Sequence, residues 1–371
     1  MRIKEAFVED IQLGKPRTVN TSIHTVAAKE YLDPDIFAVE KSLFQKGAIP
    51  VGYLGKNDEG MIAFRYMDRE AIAIKDSNGE LRGFFNSCAH RGTKIIKHGK
   101  HKCRKMFACP YHNWIYKNDG SLHKVPHEYG FPQNIAGLTP IPVFERFGLI
   151  WAAVSKKETA NSLFEPPSFD FLNQSRFAGK AVYKEEEFSI PVNWKLIVES
   201  GLEMYHFKTT HAKTIYPRFF DNIGTVEKFT PDRGNGLRVL FPMRHILQEK
   251  MESENLADFC NIVYYFFPAT QVLVEDNLVN VIRMEPVSPA ETKVKFTHLV
   301  PKEKAHLSRL WEKRVAFTHK TLREDFEKVV SIQEAMACDP DRSFVHGSFE
   351  YGLGLFHEML RSFRGNVSGF S

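Results

Sequence analysis

The sequence predicts an α+β chain with two parts. One is a small all-β unit from about residue 48 to 155; the other sets an antiparallel sheet against a long C-terminal helix. Three observations carry this. Short strand-like runs broken by turn residues fill the first part. Further strand runs follow one another after about residue 170. A helix-period pattern then runs from about Lys304 to Met336.

Taken in order, Asp33-Pro34 opens a helix with a cap and an N1 proline, and Gly47 closes it. Its apolar face is Ile36, Phe37, Val39, Leu43 and Phe44. "AIAIKD" and "ELRGFF" flank Ser77-Asn78-Gly79, which reads as a hairpin turn. "WIYKNDGSL" reads as a second hairpin around Asp119-Gly120, and "FGLIWAAV", Phe147 to Val154, as a buried strand. Residues 155–170, with Pro166 and Pro167, read as a linker. Beyond it, "AVYKEEEFSI" is a strand candidate and Val192 to about Phe207 a helix. The strands "LRVLF", "IVYYFF", "VNVIRMEP" and "TKVKFTHLV" lead to the long helix. The expected domains are 48–155, and 1–47 together with 170–371.

With 371 residues, 43% hydrophobic and 26% charged, the composition is that of a soluble globular protein. The 31 phenylalanines imply an aromatic core or pocket. A net charge of +5 is too small to imply nucleic acid. Its basic residues concentrate locally at Lys94, Lys97, Lys100, Lys102, Arg104 and Lys105, either a solvated loop or a docking patch for an acidic partner. The most apolar stretch, Ile262 to Val274, is shorter than the roughly 20 residues of a membrane span. "MRIKEAFVED" contains no apolar run, and five cysteines are an odd number. The expectation is a cytoplasmic chain with reduced thiols and no membrane association.

Two of those cysteines stand beside histidines: Cys88-x-His90 in "NSCAHRGTKI" and Cys109-x-x-His112 in "CPYHNW". Two thiolates and two imidazoles fit either a zinc ion or a [2Fe–2S] centre. Zinc fingers usually pair like with like, whereas here each loop supplies one ligand of each kind. Facing loops would give both cysteines to one metal and both histidines to another, which is the partition of a Rieske cluster.

An electron-transfer cluster needs an acceptor. In "NWKLIVESGLEMYHFKTTH", Glu203 and His206 are three apart, on one helix face. His211 lies five after His206, about 140° around a regular helix, so the histidines converge only if the helix distorts or ends. A third ligand is expected from the long helix. Asp325 falls on its apolar stripe with Leu322, Val329 and Ile332, where a bare carboxylate is costly unless paired or metal-bound. Glu324 and Glu327 are expected to be solvated. Two histidines and a carboxylate make the facial triad of oxygen-activating Fe(II).

"CAHRG" at 88–92 and "CPYHNW" at 109–114 resemble the two boxes of the oxygenase components of Rieske non-haem iron oxygenases. Asn113 stands where that family usually has glycine, and asparagine tolerates positive φ. "NWK" followed by acid-x-x-His-x4-His is similar to the family's mononuclear iron motif, with Asp325 where its distal aspartate occurs. Ser200 stands where many members carry asparagine. The resemblance covers about residues 25 to 340 and implies a Rieske domain inserted in a helix-grip catalytic domain.

It further implies a [2Fe–2S] cluster on Cys88, His90, Cys109 and His112, and Fe(II) on His206, His211 and Asp325. Glu203 aligns with an acid that links the two metals. Glutamate there resembles the carnitine, choline and glycine betaine monooxygenases. The expected partners are a reductase with flavin and a plant-type cluster, or a ferredoxin, delivering electrons from NAD(P)H. O2 and a small organic substrate are the others, and the expected assembly is a head-to-tail homotrimer. Tyr264, Tyr265, Phe266 and Phe267 either offer faces to a cationic amine or fill the core. Aromatic-ring hydroxylation or O-demethylation is the alternative chemistry. A zinc-stabilised binding protein and a lipid carrier are the alternatives of other classes.

Overall fold

The computed structural model describes residues 3–15, 24–54, 59–76, 78–146, 148–153, 177, 179–228, 236–247, 256–268 and 270–368. The chain divides into two compact units, residues 44–180 and residues 1–43 with 181–371. Among the described residues no helix is long and apolar enough to cross a membrane.

The 44–180 unit is built of small antiparallel sheets. A five-stranded sheet runs in the order Pro140–Ile141, Leu81–Phe85, Arg69–Lys75, Gly60–Tyr66, Gly99–His101. Two three-stranded sheets join Val143–Arg146, Leu149–Ala153 and Ala48–Tyr53, and Met106–Ala108, Ile115–Lys117 and Leu122–Lys124. Both expected hairpins form. In the first, Asp76 Oδ1 accepts from the Asn78 and Glu80 amides at 2.9 and 3.0 Å and rounds the turn. Ser77 lies outside the described residues. In the second, Gly120 takes φ +83°, and a Cβ there would meet the Phe84 ring. Leu149–Ala153 is buried along its length. Phe147, Val154 and the 155–170 linker lie outside the described residues.

In the other unit, Asp33 Oδ1 accepts from the amides of Asp35 (2.7 Å) and Ile36 (3.3 Å), capping α1, Pro34–Lys46. The main sheet has seven strands: β1 Lys180–Ile190, β2 Thr225–Lys228, β3 Gly236–Pro242, β4 Cys260–Phe266, β5 Thr270–Glu275, β6 Leu278–Ser288 and β7 Glu291–Pro301. Their order is β1-β7-β6-β5-β4-β3-β2, an antiparallel meander from β2 to β7 with β1 beside β7.

Helix α2, Trp194–Ser200, is far shorter than the expected Val192–Phe207. Asn193 starts it, its side chain accepting from the Lys195 amide at 3.0 Å. Gln271 of β5 ends it, donating from Nε2 to the Val198 carbonyl at 2.9 Å and satisfying an acceptor that a longer helix would use internally. Only glycine fits at 201, since a Cβ would stand 2.6 Å from that amide. Residues 201 to 204 are irregular and 205 to 218 then run as turns.

The long helix, α3, spans Ser308–Cys338. Trp311, Val315, Thr318, Asp325, Val329, Gln333 and Met336 form its buried stripe. Asp325 and Val329 lie on the stripe as expected, whereas Ile332 is exposed. Helix α4, Tyr351–Ser368, packs Phe356 edge-on against Trp194 and Tyr265, and Phe363 flat on Phe267.

Candidate metal centres

The two Cys/His loops of the 44–180 unit are the same turn made twice. The Gly92 amide donates to the Cys88 carbonyl at 2.8 Å, and the Cys88 amide to the Thr93 carbonyl at 3.0 Å. The Asn113 amide donates to the Cys109 carbonyl at 3.0 Å, and the Cys109 amide to the Trp114 carbonyl at 2.8 Å. In each loop the fourth residue after cysteine is left-handed, Gly92 at φ 74° and Asn113 at φ 57°. Asn113 thus holds the conformation for which glycine is otherwise favoured.

The loops converge. Cys88 and Cys109 are buried among Ile72, Ile95, Phe107, Trp114 and Tyr116, while His112 is exposed and His90 half-buried. The Nδ1 atoms of His90 and His112 stand 3.1 Å apart. His90 stacks on Trp114, ring centres 4.9 Å apart and planes within 8°. Desolvation and the His112 ring lower the pKa of His90, favouring the neutral ligand form. Thiols on the buried side and two facing imidazole nitrogens at the rim suit the sulfur–nitrogen partition of a Rieske cluster.

Two contributors carried no signal of their own in the sequence. Buried Asn86 closes the first loop, its Oδ1 accepting from the Ile95 and Ile96 amides and its Nδ2 donating to the Ile96 carbonyl. Tyr116 Oη lies 3.1 Å from Cys88 Sγ and accepts from the Ala89 amide at 3.0 Å. All five cysteines are free. Around the loops Lys94, Lys97, Lys102, Arg104 and Lys105 are exposed, and Lys94 pairs with Glu70 at 2.7 Å.

In the other unit, His206 and His211 lie on the turns after α2, not on one helix. Each presents Nε2 to Oδ1 of Asp325, at 3.3 Å from His206 and 2.8 Å from His211. Glu203 also stands outside the helix. Its Oε2 accepts from the amides of Tyr205 and His206, capping the next turn, and its Oε1 meets His206 Nδ1. Glu324 is not solvated as expected. Its Oε2 stands 2.7 Å from His211 Nδ1 and accepts from Thr214 Oγ1 at 2.6 Å. Glu327 is exposed.

Each ring therefore has its Nδ1 held by an acid, which leaves Nε2 free to ligate. Burial opposes protonation of His206, but the Glu203 and Asp325 carboxylates outweigh it and raise the pKa to about 10. A divalent ion between these atoms would replace that proton. Two imidazoles and one carboxylate, all within 4.8 Å of one another, fit Fe(II) with open positions.

Beside the triad, between the sheet and α3, lies a cavity of about 260 Å³. Phe207, Phe219, Phe241, Phe317 and Phe326 line it, with Glu275. Arg218 also lines it, its guanidinium 4.5 Å from the centre of the Phe317 ring. Burial raises the pKa of Glu275, and Arg314 donates to its carbonyl at 3.1 Å. None of Tyr264, Tyr265, Phe266 and Phe267 lines the cavity; all four are buried in the core. Ser200 lines it, with its hydroxyl donating to the Ile197 carbonyl.

The catalytic-domain profile of the ring hydroxylating alpha subunits matches residues 177–365, and the Rieske [2Fe-2S] domain profile matches residues 48–140. The chain is 27% identical over 197 residues to the glycine betaine monooxygenase oxygenase subunit of Chromohalobacter salexigens, covering 52% of this chain and 44% of the relative. It spans about half the length of the first curated relatives it matches. Against the carnitine monooxygenase oxygenase subunit of Escherichia coli (strain K12), identity is 24% over 369 residues, covering 91% of this chain and 92% of the relative. In fold it is similar to the quaternary ammonium Rieske monooxygenase CntA in complex with L-carnitine, with TM-score 0.73, 20% identity and coverage of 93% and 97%. The chain thus belongs to the ring hydroxylating alpha subunits, the Rieske non-haem iron oxygenases, and carries a Rieske [2Fe–2S] domain ahead of its catalytic domain.

Proposed function

We propose that the chain is the terminal oxygenase of a multicomponent system and oxidises a quaternary or N-methyl amine. In this reading Cys88, His90, Cys109 and His112 hold the Rieske cluster, and His206, His211 and Asp325 hold Fe(II). The cluster supplies electrons one at a time, and the mononuclear iron supplies a site for O2 activation. Two electrons and two protons accompany each O2, with one oxygen atom entering the substrate and the other leaving as water. Hydroxylation of a carbon bonded to nitrogen then leads to C–N cleavage.

The observation that carries this reading is the convergence of two Nε2 atoms on one carboxylate oxygen at the wall of an aromatic cavity. The phenylalanine faces and the Glu275 carboxylate suit an alkylammonium, and Arg218 suits a carboxylate on the same molecule. Both named relatives act on such molecules by their names, glycine betaine and carnitine. Glu203 and Glu324 orient the two rings and hold each Nδ1 proton.

Electrons come from NAD(P)H through a flavin and iron–sulfur reductase or a ferredoxin, and an acidic face on that partner meets the basic segment 94–105. The assembly is a head-to-tail homotrimer in which Glu203 meets His90 or His112 of a neighbouring chain. Mixing Cys88→Ala with Glu203→Ala subunits tests this: some trimers regain turnover, and no recovery counts against transfer between subunits.

The substrate test is oxygen uptake coupled to product, with a competent reductase, across quaternary amines, N-methyl amines and aromatic rings. Coupled turnover is expected with amines that also bear a carboxylate. The phenylalanine lining favours a second reading, aromatic-ring hydroxylation, and coupled product from aromatic rings alone would replace the first reading with it.

A further inference from the structure

A second cluster of the same ligand types lies elsewhere in the unit formed by 1–43 and 181–371. Glu186 of β1, His298 of β7 and His319 of α3 bring one carboxylate oxygen and two imidazole nitrogens within 4.8 Å of one another. The two Nε2 atoms are 3.2 Å apart. Glu186 Oε2 is 3.5 Å from His298 Nε2 and 2.7 Å from His319 Nε2. Ligands placed tetrahedrally around a zinc-sized ion, at bonds of about 2.0–2.1 Å, stand about 3.3 Å apart. The cluster therefore has the ligand number and nearly the spacing that such an ion requires.

The proton on His298 is assigned by its surroundings. His298 is fully buried. Asn280 Nδ2 donates to Glu275 Oε1 at 3.1 Å, so Asn280 Oδ1 is the atom that faces His298 Nδ1, at 2.7 Å. That oxygen can only accept, so His298 carries its proton on Nδ1 and a lone pair on Nε2. A histidine held through one nitrogen by a fixed acceptor, with the other aimed at further donors, is the arrangement of a metal ligand. Glu186 Oε2 is buried and takes no aligned hydrogen bond among the described residues. Its other oxygen, Oε1, pairs with Lys184 Nζ at 2.6 Å.

We propose that Glu186, His298 and His319 form a second divalent-cation site, of the class that takes zinc, separate from the His206–His211–Asp325 triad. Its ligands come from three elements, so the ion ties the neighbouring strands β1 and β7 to the helix that carries Asp325. His319 and Glu186 are each about a quarter exposed, which leaves the ion a way in and a position for water. Lys184 on the same carboxylate, and Lys320 and Arg323 along the adjacent cleft, oppose a cation and make the site weaker than a closed structural zinc site.

The test is equilibrium dialysis of the iron-loaded full-length chain against micromolar zinc chloride, with metals counted by elemental analysis. The expected result is one zinc per chain beyond the iron, and a thermal midpoint that rises with zinc. Glu186→Gln weakens uptake about tenfold or more, and His319→Ala abolishes both the uptake and the rise. His206→Ala, which breaks the other triad, leaves this zinc bound. Circular dichroism reports folding, and if His319→Ala does not fold, Glu186→Gln alone decides. No zinc on the unaltered chain, or uptake indifferent to Glu186→Gln and His319→Ala, overturns the proposal. Neither result bears on the oxygenase reading, which the iron content and turnover report separately.

Discussion

Glu324 offers the sharpest test of the proposed iron centre, because it was expected to be solvated. Its Oε2 meets His211 Nδ1 at 2.7 Å and takes the Thr214 hydroxyl at 2.6 Å. Glu324→Gln keeps the size and one carbonyl oxygen but removes the charge. Hydrogen bonds to a charged group contribute about 1.5–3 kcal/mol, and neutral ones about 0.5–1.5 kcal/mol. The difference is about 1–1.5 kcal/mol per bond, so across two bonds the loss is about 2–3 kcal/mol, or about thirtyfold to somewhat over a hundredfold in Fe(II) affinity, toward the upper end of the usual effect of removing a ligand's partner. The assay is Fe(II) binding to chain stripped of mononuclear iron, read with a colorimetric chelator. The Rieske signal by electron spin resonance serves as the internal control for folding. Glu327→Gln, an exposed neighbour on the same helix, should bind iron normally. If Glu324→Gln binds Fe(II) like the unaltered chain, Glu324 does not orient His211 and the account of that ring is wrong.

Four further outcomes follow from other parts of the molecule. Asn113→Val places a β-branched residue at φ 57° and should cost about 1–2 kcal/mol, lowering the thermal midpoint by a few degrees and bleaching the cluster's visible absorption. Glu40→Ala leaves Lys195 buried without its partner at 2.5 Å; urea titration should show a loss of about 3–5 kcal/mol. Burial lowers the Lys195 pKa from 10.5 despite Glu40, so the unfolded chain holds that proton more tightly. Stability should therefore rise with pH between the lowered value and 10.5, and Lys195→Met should abolish the rise. Reversing Lys97, Lys102 and Lys105 to glutamate should slow reduction by the partner protein and flatten its salt dependence in stopped-flow measurements, while a small-molecule reductant still reduces the cluster at the normal rate.

The hairpins were legible because their turns are local. Asp76 and Gly79, like Asp119 and Gly120, round the chain within a few residues. The strands of the large sheet were legible from runs of β-branched and aromatic residues, and Asp325 from being the one acid on an apolar stripe. The helix after Val192 was overextended because nothing nearby in the sequence ends it before Phe207. The group that ends it, Gln271, is 73 residues away from Val198. The aromatic run at 264–267 reads alike as core or pocket, since strand alternation does not say which face meets a cavity.

What the sequence determined by itself is the pair of Cys/His loops. Ligand, left-handed residue and closing hydrogen bonds all fall within six residues in each loop, so local backbone geometry suffices. The company the histidines keep is set by packing between distant elements. Glu324 and Asp325 reach His211 from more than a hundred residues away, and Glu186 reaches two further histidines in the same manner. Sequence spacing carries no information about which residues meet when separate elements pack. The burial of the sheet against the long helix decides that.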